Sequence, residues 1–340
     1  DALMDQVNVT TGGGVQVLAN TTQQLNTTLK GKVDAVLFSA AYTLTLNDVS
    51  GGTTAKIQGG RLDTAGDLSV KADNASVIES INLASVDGAS ADSGVIAANV
   101  VGWDGLSASR TALSSSDGFR NTLGAKLVGT PGGAAPMETL AAVISTPLLV
   151  GGDAQVEARM QARQSSRVGA DSDGFFGGGS RVLAIQRTST RTQAWISDSA
   201  SATPVTGRTR ALSVNVGGDL QVKADDSSSV ASSVNMSSSG GLAAVGNATV
   251  QNLVAQQVQA TLDDLAVAAG GLVAIQALNQ ADIHAELSGI VSVTLGFGLI
   301  SATPVTRLSA ANTILAQVSA DVRDSDVKSG GDFLLKATNS

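Results

Sequence analysis

The eight residues GGDLQVKA at positions 217–224 have near copies throughout the chain. The other copies are GGGVQVLA at 12–19, AGDLSVKA at 65–72, GGDAQVEA at 151–158, GGLVAIQA at 270–277 and GGDFLLKA at 330–337. Their third positions are 14, 67, 153, 219, 272 and 332, so the spacings are 53, 86, 66, 53 and 60. A phrase that recurs at such intervals is typical of a repeat architecture, and the shortest spacing, which occurs twice, indicates the bare unit.

Apolar and polar residues alternate within each copy of the phrase. At 217–224, Leu220, Val222 and Ala224 are apolar, whereas Gln221 and Lys223 between them are polar. A period of two predicts a strand with one buried face, and a helix would not keep this pattern. The same three positions are apolar in the other copies: Val15, Val17, Ala19; Leu68, Val70, Ala72; Ala154, Val156, Ala158; Val273, Ile275, Ala277; and Phe333, Leu335, Ala337.

Two further apolar columns precede the phrase. Five residues before its third position stand Val9, Leu62, Leu148, Val214, Val267 and Val327. Ten residues before it stand Met4, Ile57, Val143, Thr209, Leu262 and Val322, of which only Thr209 is polar. Short strands repeated at one register predict an all-β chain folded as a parallel β-helix, or β-solenoid, of irregular repeats. We expect coils of roughly 20 to 25 residues, a rise of about 4.8 Å per coil and a rod on the order of 70 Å long.

A glycine stands before the third position of all six phrases, and a corner with positive φ is the expected reason. In four copies an Asp follows it, which we interpret as a hydrogen-bond acceptor for the backbone of its own turn: Asp67, Asp153, Asp219 and Asp332. A row of calcium ligands is the alternative. Their separation in sequence speaks against it, because such residues are not expected on adjacent coils.

The longer spacings predict insertions into one solenoid segment that spans residues 1–340. Residues 129–149 are predicted to form a loop with a short helix, because Pro136 and Glu138 precede the apolar run from Leu140 to Ile144. A second loop is expected around Pro204, within the hexapeptide SATPVT at 201–206 that recurs at 301–306.

Composition excludes several classes of protein. Of the 340 residues 43% are hydrophobic but only 3% aromatic, so aliphatic side chains and Ala must form the core. The net charge of -8 argues against nucleic acid as a partner, and the absence of Cys excludes disulfides and thiolate metal sites. No transmembrane helix and no cofactor are predicted. The opening DALMDQV is not a signal peptide, so we expect a segment of a longer chain whose export signal lies elsewhere.

Candidate catalytic groups are few, and we predict that the chain is not an enzyme. The single His284 lies between Ile283 and Ala285, which alternate inward, so His284 is expected to face solvent. Asp321, Asp324 and Asp326 form the densest carboxylate group, and the basic residues beside them favour a solvated charged turn.

An arginine-rich stretch supplies the candidate contact residues. Residues 159–210 hold eight Arg against three Asp, a formal charge of +5 in a chain of net charge -8. Such asymmetry is compatible with contact with another copy, with cell-surface glycans or with matrix, but it favours outward-facing arginines that keep the surface soluble. Two neighbouring aromatics either make contact or fold back as a cap. The predicted contact residues are Arg159, Arg163, Arg167, Arg181, Arg187, Arg191, Phe175 and Phe176.

The segments AGDLSVKADNASVIES at 65–80 and VGGDLQVKADDSSSVASS at 216–233 resemble repeats of giant bacterial surface proteins similar to filamentous haemagglutinin. The resemblance implies a secreted, parallel β-helical filament segment at the bacterial cell surface, with a structural or adhesive role. Its partners would be other copies or further parts of the same giant chain. A carbohydrate-active β-helix enzyme acting on polysaccharide is the alternative, because parallel β-helices also host such enzymes.

Overall fold

The computed structural model describes residues 1–103, 135–198, 212–294 and 304–340. These ranges contain strands and no helix, and the strands pair in parallel, which confirms the predicted all-β class. The strands are β1 (Ala2–Asp5), β2 (Asn8–Thr11), β3 (Val15–Asp34), β4 (Phe38–Val49), β5 (Gly52–Gln58), β6 (Arg61–Thr64), β7 (Leu68–Val101), β8 (Met137–Ile144), β9 (Leu148–Val150), β10 (Ala154–Ser197), β11 (Leu212–Val216), β12 (Leu220–Gly240), β13 (Ala243–Asp263), β14 (Leu265–Ala269), β15 (Val273–Val293), β16 (Val305–Arg323), β17 (Asp326–Ser329) and β18 (Phe333–Asn339).

The strands stack in the order in which the chain lays them down. A six-stranded sheet has the order β17-β14-β11-β9-β6-β2, and a 12-stranded sheet contains the remaining strands. Val15 pairs with Leu68, Leu68 with Ala154, Ala154 with Leu220, Leu220 with Val273, and Val273 with Phe333. The six phrases therefore stand directly above one another, and we call the stretch of chain around each phrase a layer, numbered 1 to 6.

Each layer takes far more chain than the short coils expected from the sequence. The register joins residues 53 positions apart at its shortest offset, as between Val15 and Leu68, so the shortest spacing of the phrase is confirmed as the repeat of the stack. Six layers about 4.8 Å apart rise through only about 24 Å, and the expected rod of about 70 Å is wrong. The sequence pattern showed the repeat but not that one layer consumes all of it.

Two long antiparallel runs account for the length of layers 1 to 5. The outgoing legs are residues 15–34, 68–88, 154–174, 220–240 and 273–293, and the return legs are residues 38–49, 90–101, 177–189, 243–255 and 305–315. The reversals between them form the tip of the molecule. At about 3.3 Å per residue, the outgoing leg of 20 residues in β3 is roughly 65 Å long, so the longest dimension lies along the strands.

The predicted apolar columns form one continuous core at the end of the legs away from the tip. Val70, Val156 and Val222 are fully buried, as are most members of the triplets in layers 2 to 5. Leu62, Leu148 and Val214 stack in the six-stranded sheet. Phe333 and Leu335 are half exposed, because their layer has a neighbour on one side only.

Thr209 is the one polar residue that the sequence pattern assigned to the apolar columns, and this assignment is wrong. Val143 pairs with Ile196, and Ile196 with Leu262, so Ile196 occupies the position assigned to Thr209. Thr209 itself lies outside the described residues. The whole column is therefore apolar.

The interruptions of the repeat fall between strands. Val101 pairs with Thr188 and Met137 with Thr190, so the surplus of the 86-residue spacing lies between Val101 and Met137. The surplus of the 66-residue spacing lies between Ser197 and Leu212, where the predicted loop around Pro204 is located, and that of the 60-residue spacing between Val293 and Val305. Most of these residues lie outside the described ranges: 104–134, 199–211 and 295–303.

The helix predicted within residues 129–149 is wrong where the structure describes this stretch. Residues 137–144 form β8, which pairs with β5 and with residues 190–197 of β10, and Leu148–Val150 form β9. The run from Ala141 to Ile144 is buried on both faces, so it lacks the alternation by which a strand is recognised. A continuous short apolar run does not separate helix from strand.

The recurring glycine is explained by close approach, not by positive φ. None of the six glycines has φ in the left-handed region. A Cβ atom on Gly152 would overlap Asp67 Oδ1, and one on Gly218 would overlap Asp153 Oδ1. The carboxylate of one layer thus occupies the space above it where the next layer would place a side chain.

The left-handed corner lies elsewhere, after the first short strand of five of the six layers. Non-glycine residues have positive φ at Gln6, Ser145, Asp264 and Asp324, and Gly59 has φ of 66°. These five residues occupy the same position in five different layers, because each one directly follows a residue whose pairing partners precede the others. A left-handed turn therefore closes this corner even where a side chain makes it costly.

Candidate functional site

The tip divides the predicted arginine surface in two. Within β10 the chain reverses at Gly174 to Gly177, where the register with β7 also shifts. Residues before the reversal belong to the outgoing leg and residues after it to the return leg, so their outer faces point in opposite directions. Arg159, Arg163 and Arg167 lie on the outgoing face, and Arg181, Arg187 and Arg191 lie on the return face.

On the outgoing face, the arginines differ in their partners. Arg159 Nη2 lies 3.0 Å from Glu157 Oε1, and Lys71 and Lys223 from the two neighbouring layers each lie 3.7 Å from the same carboxylate. Glu157 therefore joins three layers. Arg163 and Arg167 are exposed, and neither has a hydrogen bond or ion pair within the described residues.

Two shallow grooves flank this arginine row. One, of about 440 Å³, is lined by Arg163, Ser229 and Asp282 among others, and a second, of about 620 Å³, is lined by Arg167 and Glu286. The register explains the arrangement, because Arg163 pairs with Ser229 and Ser229 with Asp282. Small serine side chains thus form a floor between an arginine row and an acidic row.

On the return face, all three arginines have partners. Arg181 Nη1 lies 3.2 Å from both carboxylate oxygens of Asp92, which also accepts a hydrogen bond of 2.5 Å from the Tyr42 hydroxyl. The Arg187 guanidinium lies 5.6 Å from the centre of the Trp103 ring, and burial lowers its pKa. Arg191 Nε donates to Gln257 Oε1 at 3.0 Å. These contacts hold the layers together and leave the return face with less unpaired charge.

The two predicted aromatics lie at the tip and do not fold back as a cap. Phe175 is 71% exposed and Phe176 is 54% exposed, with their ring centres 4.9 Å apart in an edge-to-face arrangement. Sequence reasoning missed their neighbours in the stack. Val36, Leu37 and Phe38 occupy the tip of layer 1, Ala89 that of layer 2 and Leu242 that of layer 4.

A buried carboxylate is the second feature that sequence reasoning missed. Asp226 is fully buried between the outgoing leg of layer 4 and the first strands of layers 4 and 5. Its carboxylate accepts hydrogen bonds from the Thr190, Thr192 and Ser228 hydroxyls and from Gln256 Nε2, at 2.6 to 3.1 Å. Burial raises its pKa, and these donors only partly offset the effect. The signal was present, since Asp226 continues the inward alternation of Leu220, Val222 and Ala224.

The recurring Asp of the phrase binds the next layer and not its own turn. The backbone N–H of Asp153 donates to Asp67 Oδ1 at 2.9 Å, that of Asp219 to Asp153 Oδ1 at 2.8 Å, and that of Leu272 to Asp219 Oδ1 at 2.8 Å. These carboxylates do stand on adjacent layers, contrary to the expectation from their spacing. Within the described ranges, however, no three His, Cys, Asp or Glu residues are placed to hold a metal ion.

Residues weighed for catalysis do not converge where the structure describes them. His284 is exposed, as predicted. Asp321 pairs with Arg323 at 2.9 Å and Asp326 with Lys328 at 4.0 Å, which confirms a charged surface turn.

No helix among the described residues is long and apolar enough to cross a membrane. Comparisons with protein-family models, curated proteins and solved structures give no significant match.

Proposed function

We propose that the chain is a β-solenoid segment with a structural or adhesive role in a secreted filament at the bacterial cell surface. The observation that carries the proposal is the stack itself, in which copies of the phrase far apart in sequence stand in register and long strands remain unpaired at both ends. Its resemblance to repeats of giant surface proteins agrees with this role.

Unpaired strand edges favour association with further β-structure. Among the described strands, the part of β15 that lies beyond Asn279 and the residues next to it pairs only with β12. Strand β16 pairs only with β13. At the opposite end, β3 and β4 pair only with β7. Leu308 and Ile314, whose equivalents in the layer below point inward, are 45% and 47% exposed. An open edge of this length is a template for another strand, which another copy or further parts of the same chain would supply.

The outgoing face supports the adhesive part of the proposal. Arg163 and Arg167 are exposed and unpaired within the described residues, and the groove beside Arg167 also contains Lys30 and Lys32. Such cations suit the carboxylate or sulfate groups of cell-surface glycans or matrix. The return face, whose arginines are already bonded, suits this role less well.

The enzyme alternative has one supporting observation, the acidic row along the grooves. Asp282 and Glu286 are four residues apart on one strand, about 13 Å at 3.3 Å per residue. The carboxyl pairs of glycosidases are about 5 to 9.5 Å apart. The spacing therefore favours binding over hydrolysis of a polysaccharide.

Electron microscopy of the purified chain over a range of concentrations tests the structural role. We expect particles joined end to end, and we expect Leu308→Lys with Ile314→Lys to abolish them, because inward-pointing charges block an edge. Leu315→Lys, at an exposed position on the other face of β16, is the control that should leave the particles joined. Separate particles that are one stack high at every concentration would contradict a filament role.

A titration with a sulfated polysaccharide tests the adhesive role. We expect Arg163→Gln with Arg167→Gln to weaken binding about tenfold at low salt, whereas Arg181→Gln, on the return face, should change it little. Equal losses from the two faces would remove the outgoing face as the binding surface.

A further inference from the structure

We propose that two copies of the chain pack tip to tip in an antiparallel dimer related by a two-fold axis. This interface is separate from the open strand edges, and it goes beyond the proposed filament role. The surface that covers the tip of one copy is therefore the tip of a second copy.

Apolar residues occupy the tip in four successive layers and form what we call the strip. Val36 and Phe38 are 88% and 82% exposed in layer 1, and Phe175 and Phe176 are exposed in layer 3. Ala89 and Leu242 continue the strip in layers 2 and 4. Of the four Phe residues that the structure describes, three lie here. Exposed apolar residues gathered at one place on the surface mark an interaction site.

The backbone beneath the strip is fixed before any partner arrives. The N–H of Ser90 donates to the Leu37 carbonyl at 2.9 Å, and that of Leu242 donates to the Phe176 carbonyl at 2.9 Å. The aromatic pair is thus presented on hydrogen-bonded layers and not on a free loop. A surface that needs little ordering loses less entropy on association.

The order of bulky and small residues makes the strip complementary to itself. Layers 1 and 3 carry the Phe residues, about 10 Å apart, and layer 2 between them carries only Ala89. A two-fold axis along the normal to the leg faces, through layer 2, reverses the stack. It places Phe38 of one copy against Phe175 and Phe176 of the other and the two Ala89 residues together. Two-fold interfaces of this kind use one patch twice.

Charge beside the tip favours the antiparallel arrangement. On the outgoing face near the tip, layer 1 carries Lys30, Lys32 and Asp34, and layer 3 carries Asp171 and Asp173. The same axis keeps the two outgoing faces on one side, so the net positive layer of each copy stands beside the net negative layer of the other. A parallel arrangement would instead set the lysines opposite the uncharged start of a return leg, and this attraction would be lost.

A lipid surface is the competing occupant. Asp34, Asp87 and Asp173 form a stacked row just before the tip, since Asp34 pairs with Asp87 and Asp87 with Asp173. Carboxylates in this position repel an anionic bilayer. In the antiparallel dimer, by contrast, Lys30 and Lys32 in layer 1 of one copy stand on the same side as Asp171 and Asp173 in layer 3 of the other, although Lys32 also pairs with Asp34 of its own layer at 3.2 Å. The acidic row therefore favours a protein surface over a lipid surface as the occupant of the tip.

The test is sedimentation of the full chain carrying Leu308→Lys and Ile314→Lys, so that end-to-end association through the strand edges does not contribute. We expect a dimer, whose dissociation constant rises at least about tenfold with Phe175→Asp and Phe176→Asp. Phe333→Asp, at a half-exposed Phe in layer 6, is the control that should leave the dimer intact. Circular dichroism of each variant confirms that the strands remain folded.

Disulfide cross-linking tests the antiparallel geometry, because the chain has no Cys of its own. Chains carrying Phe38→Cys mixed with chains carrying Phe175→Cys should cross-link to each other, whereas Phe38→Cys chains alone should not, because the axis sets residue 38 of one copy against residue 175 of the other. A monomer at all concentrations, a dimer unaffected by the tip variants, or a monomer that binds neutral or anionic vesicles through the Phe residues would overturn the proposal. None of these outcomes bears on the filament role, which depends on the strand edges.

Discussion

At the scale of single residues, Asp226 is the least expected feature of the core. A carboxylate without a cation beside it is buried among hydroxyl and amide donors, and its pKa is raised mainly because burial disfavours the charged form. The folded state therefore retains the proton at pH values where the unfolded chain has already lost it. The contribution of this group to stability falls as pH rises from the ordinary value of 3.8 through the raised value.

Replacing Asp226 by Asn should stabilise the protein at neutral pH by on the order of 1 kcal/mol. The amide keeps the shape of the carboxylate, and the Thr190 and Thr192 hydroxyls can turn to accept from its NH2 group. Urea unfolding between pH 3 and pH 8 measures the effect, and the gain should vanish towards pH 3. Asp225→Asn, which removes the partner of Lys223 on the outer face, is the control and should not stabilise. A loss of stability at pH 7 in the Asp226 variant would contradict the sign.

At the scale of elements, the backbone is strained at the corner after the first short strand, and the sequence gives no sign of this strain. Asp264 has φ of 56°, a conformation that favours glycine. Burial raises the pKa of the neighbouring Asp263 carboxyl, and the charge of Asp264 adds to this increase. Gly59 occupies the same corner in layer 2 with φ of 66°. The same turn is thus made with and without a side chain.

Asp264→Gly should raise the free energy of unfolding by about 0.5 to 1 kcal/mol, because it relieves the left-handed backbone and removes a repulsive charge. The reciprocal change Gly59→Ala should lower it by about 1 to 2 kcal/mol, since its Cβ would also lie 3.3 Å from Gln6 Cγ. Thermal unfolding of both variants measures the pair. Changes of the same sign would show that this corner is not strained.

Much of this element-scale structure was predictable, and the errors have physical reasons. The alternation around Val222 identified the buried face, but it did not show that each strand pairs with the strand of the next phrase along the chain. The apolar run from Ala141 to Ile144 suggested a helix because burial on both faces removes the period-two signal. The glycine of the phrase suggested positive φ because a sequence does not show that a carboxylate of the layer below fills the space.

The same reasoning explains what was missed at the candidate site. Arg167 and Arg181 are close in sequence, but the reversal at Gly174 to Gly177 places them on opposite faces. Phe175 and Phe176 were found because they adjoin glycines. Val36 and Leu37 were not found, because they lie near Phe175 and Phe176 only in the stacked structure and not in the sequence.

At the scale of the whole molecule, the stack repeats a constant unit, and the surplus residues fall between its strands. Each described layer keeps the same columns although successive offsets range from 53 to 86 residues. Between layers 4 and 5, Asp198 N donates to the Asp263 carbonyl and Leu212 N to the Asp264 carbonyl. Asp263 and Asp264 are consecutive, so Asp198 and Leu212 lie where neighbouring residues would lie.

Deletion of residues 199–211 should therefore leave the fold intact and shift the melting temperature by only about 2 to 4 °C. Asp198 would then join Leu212 directly, as Asp264 joins Leu265 in the next layer. Circular dichroism and thermal unfolding measure the outcome, and Asp198→Gly in the deletion variant should add stability at the newly closed corner. Deletion of Asp198 as well is the matched control, and it should be far more damaging because no residue remains for the turn. Loss of the β-sheet signal in the shorter deletion would show that the register does not define the unit.

The Asp ladder of the phrase runs in one direction along the stack. Each acceptor, as in Asp67 or Asp153, belongs to the earlier layer, and each donor N–H belongs to the layer that follows it along the chain. Closing contacts between residues so far apart in sequence is slow, since the entropy of a long loop is lost before any contact forms. A completed layer shortens that search, because it offers both a strand edge and an aimed carboxylate to the next stretch of chain. Folding that begins at the first layer and advances one layer at a time therefore suits a chain that leaves a ribosome or crosses a membrane with its N-terminal residues first.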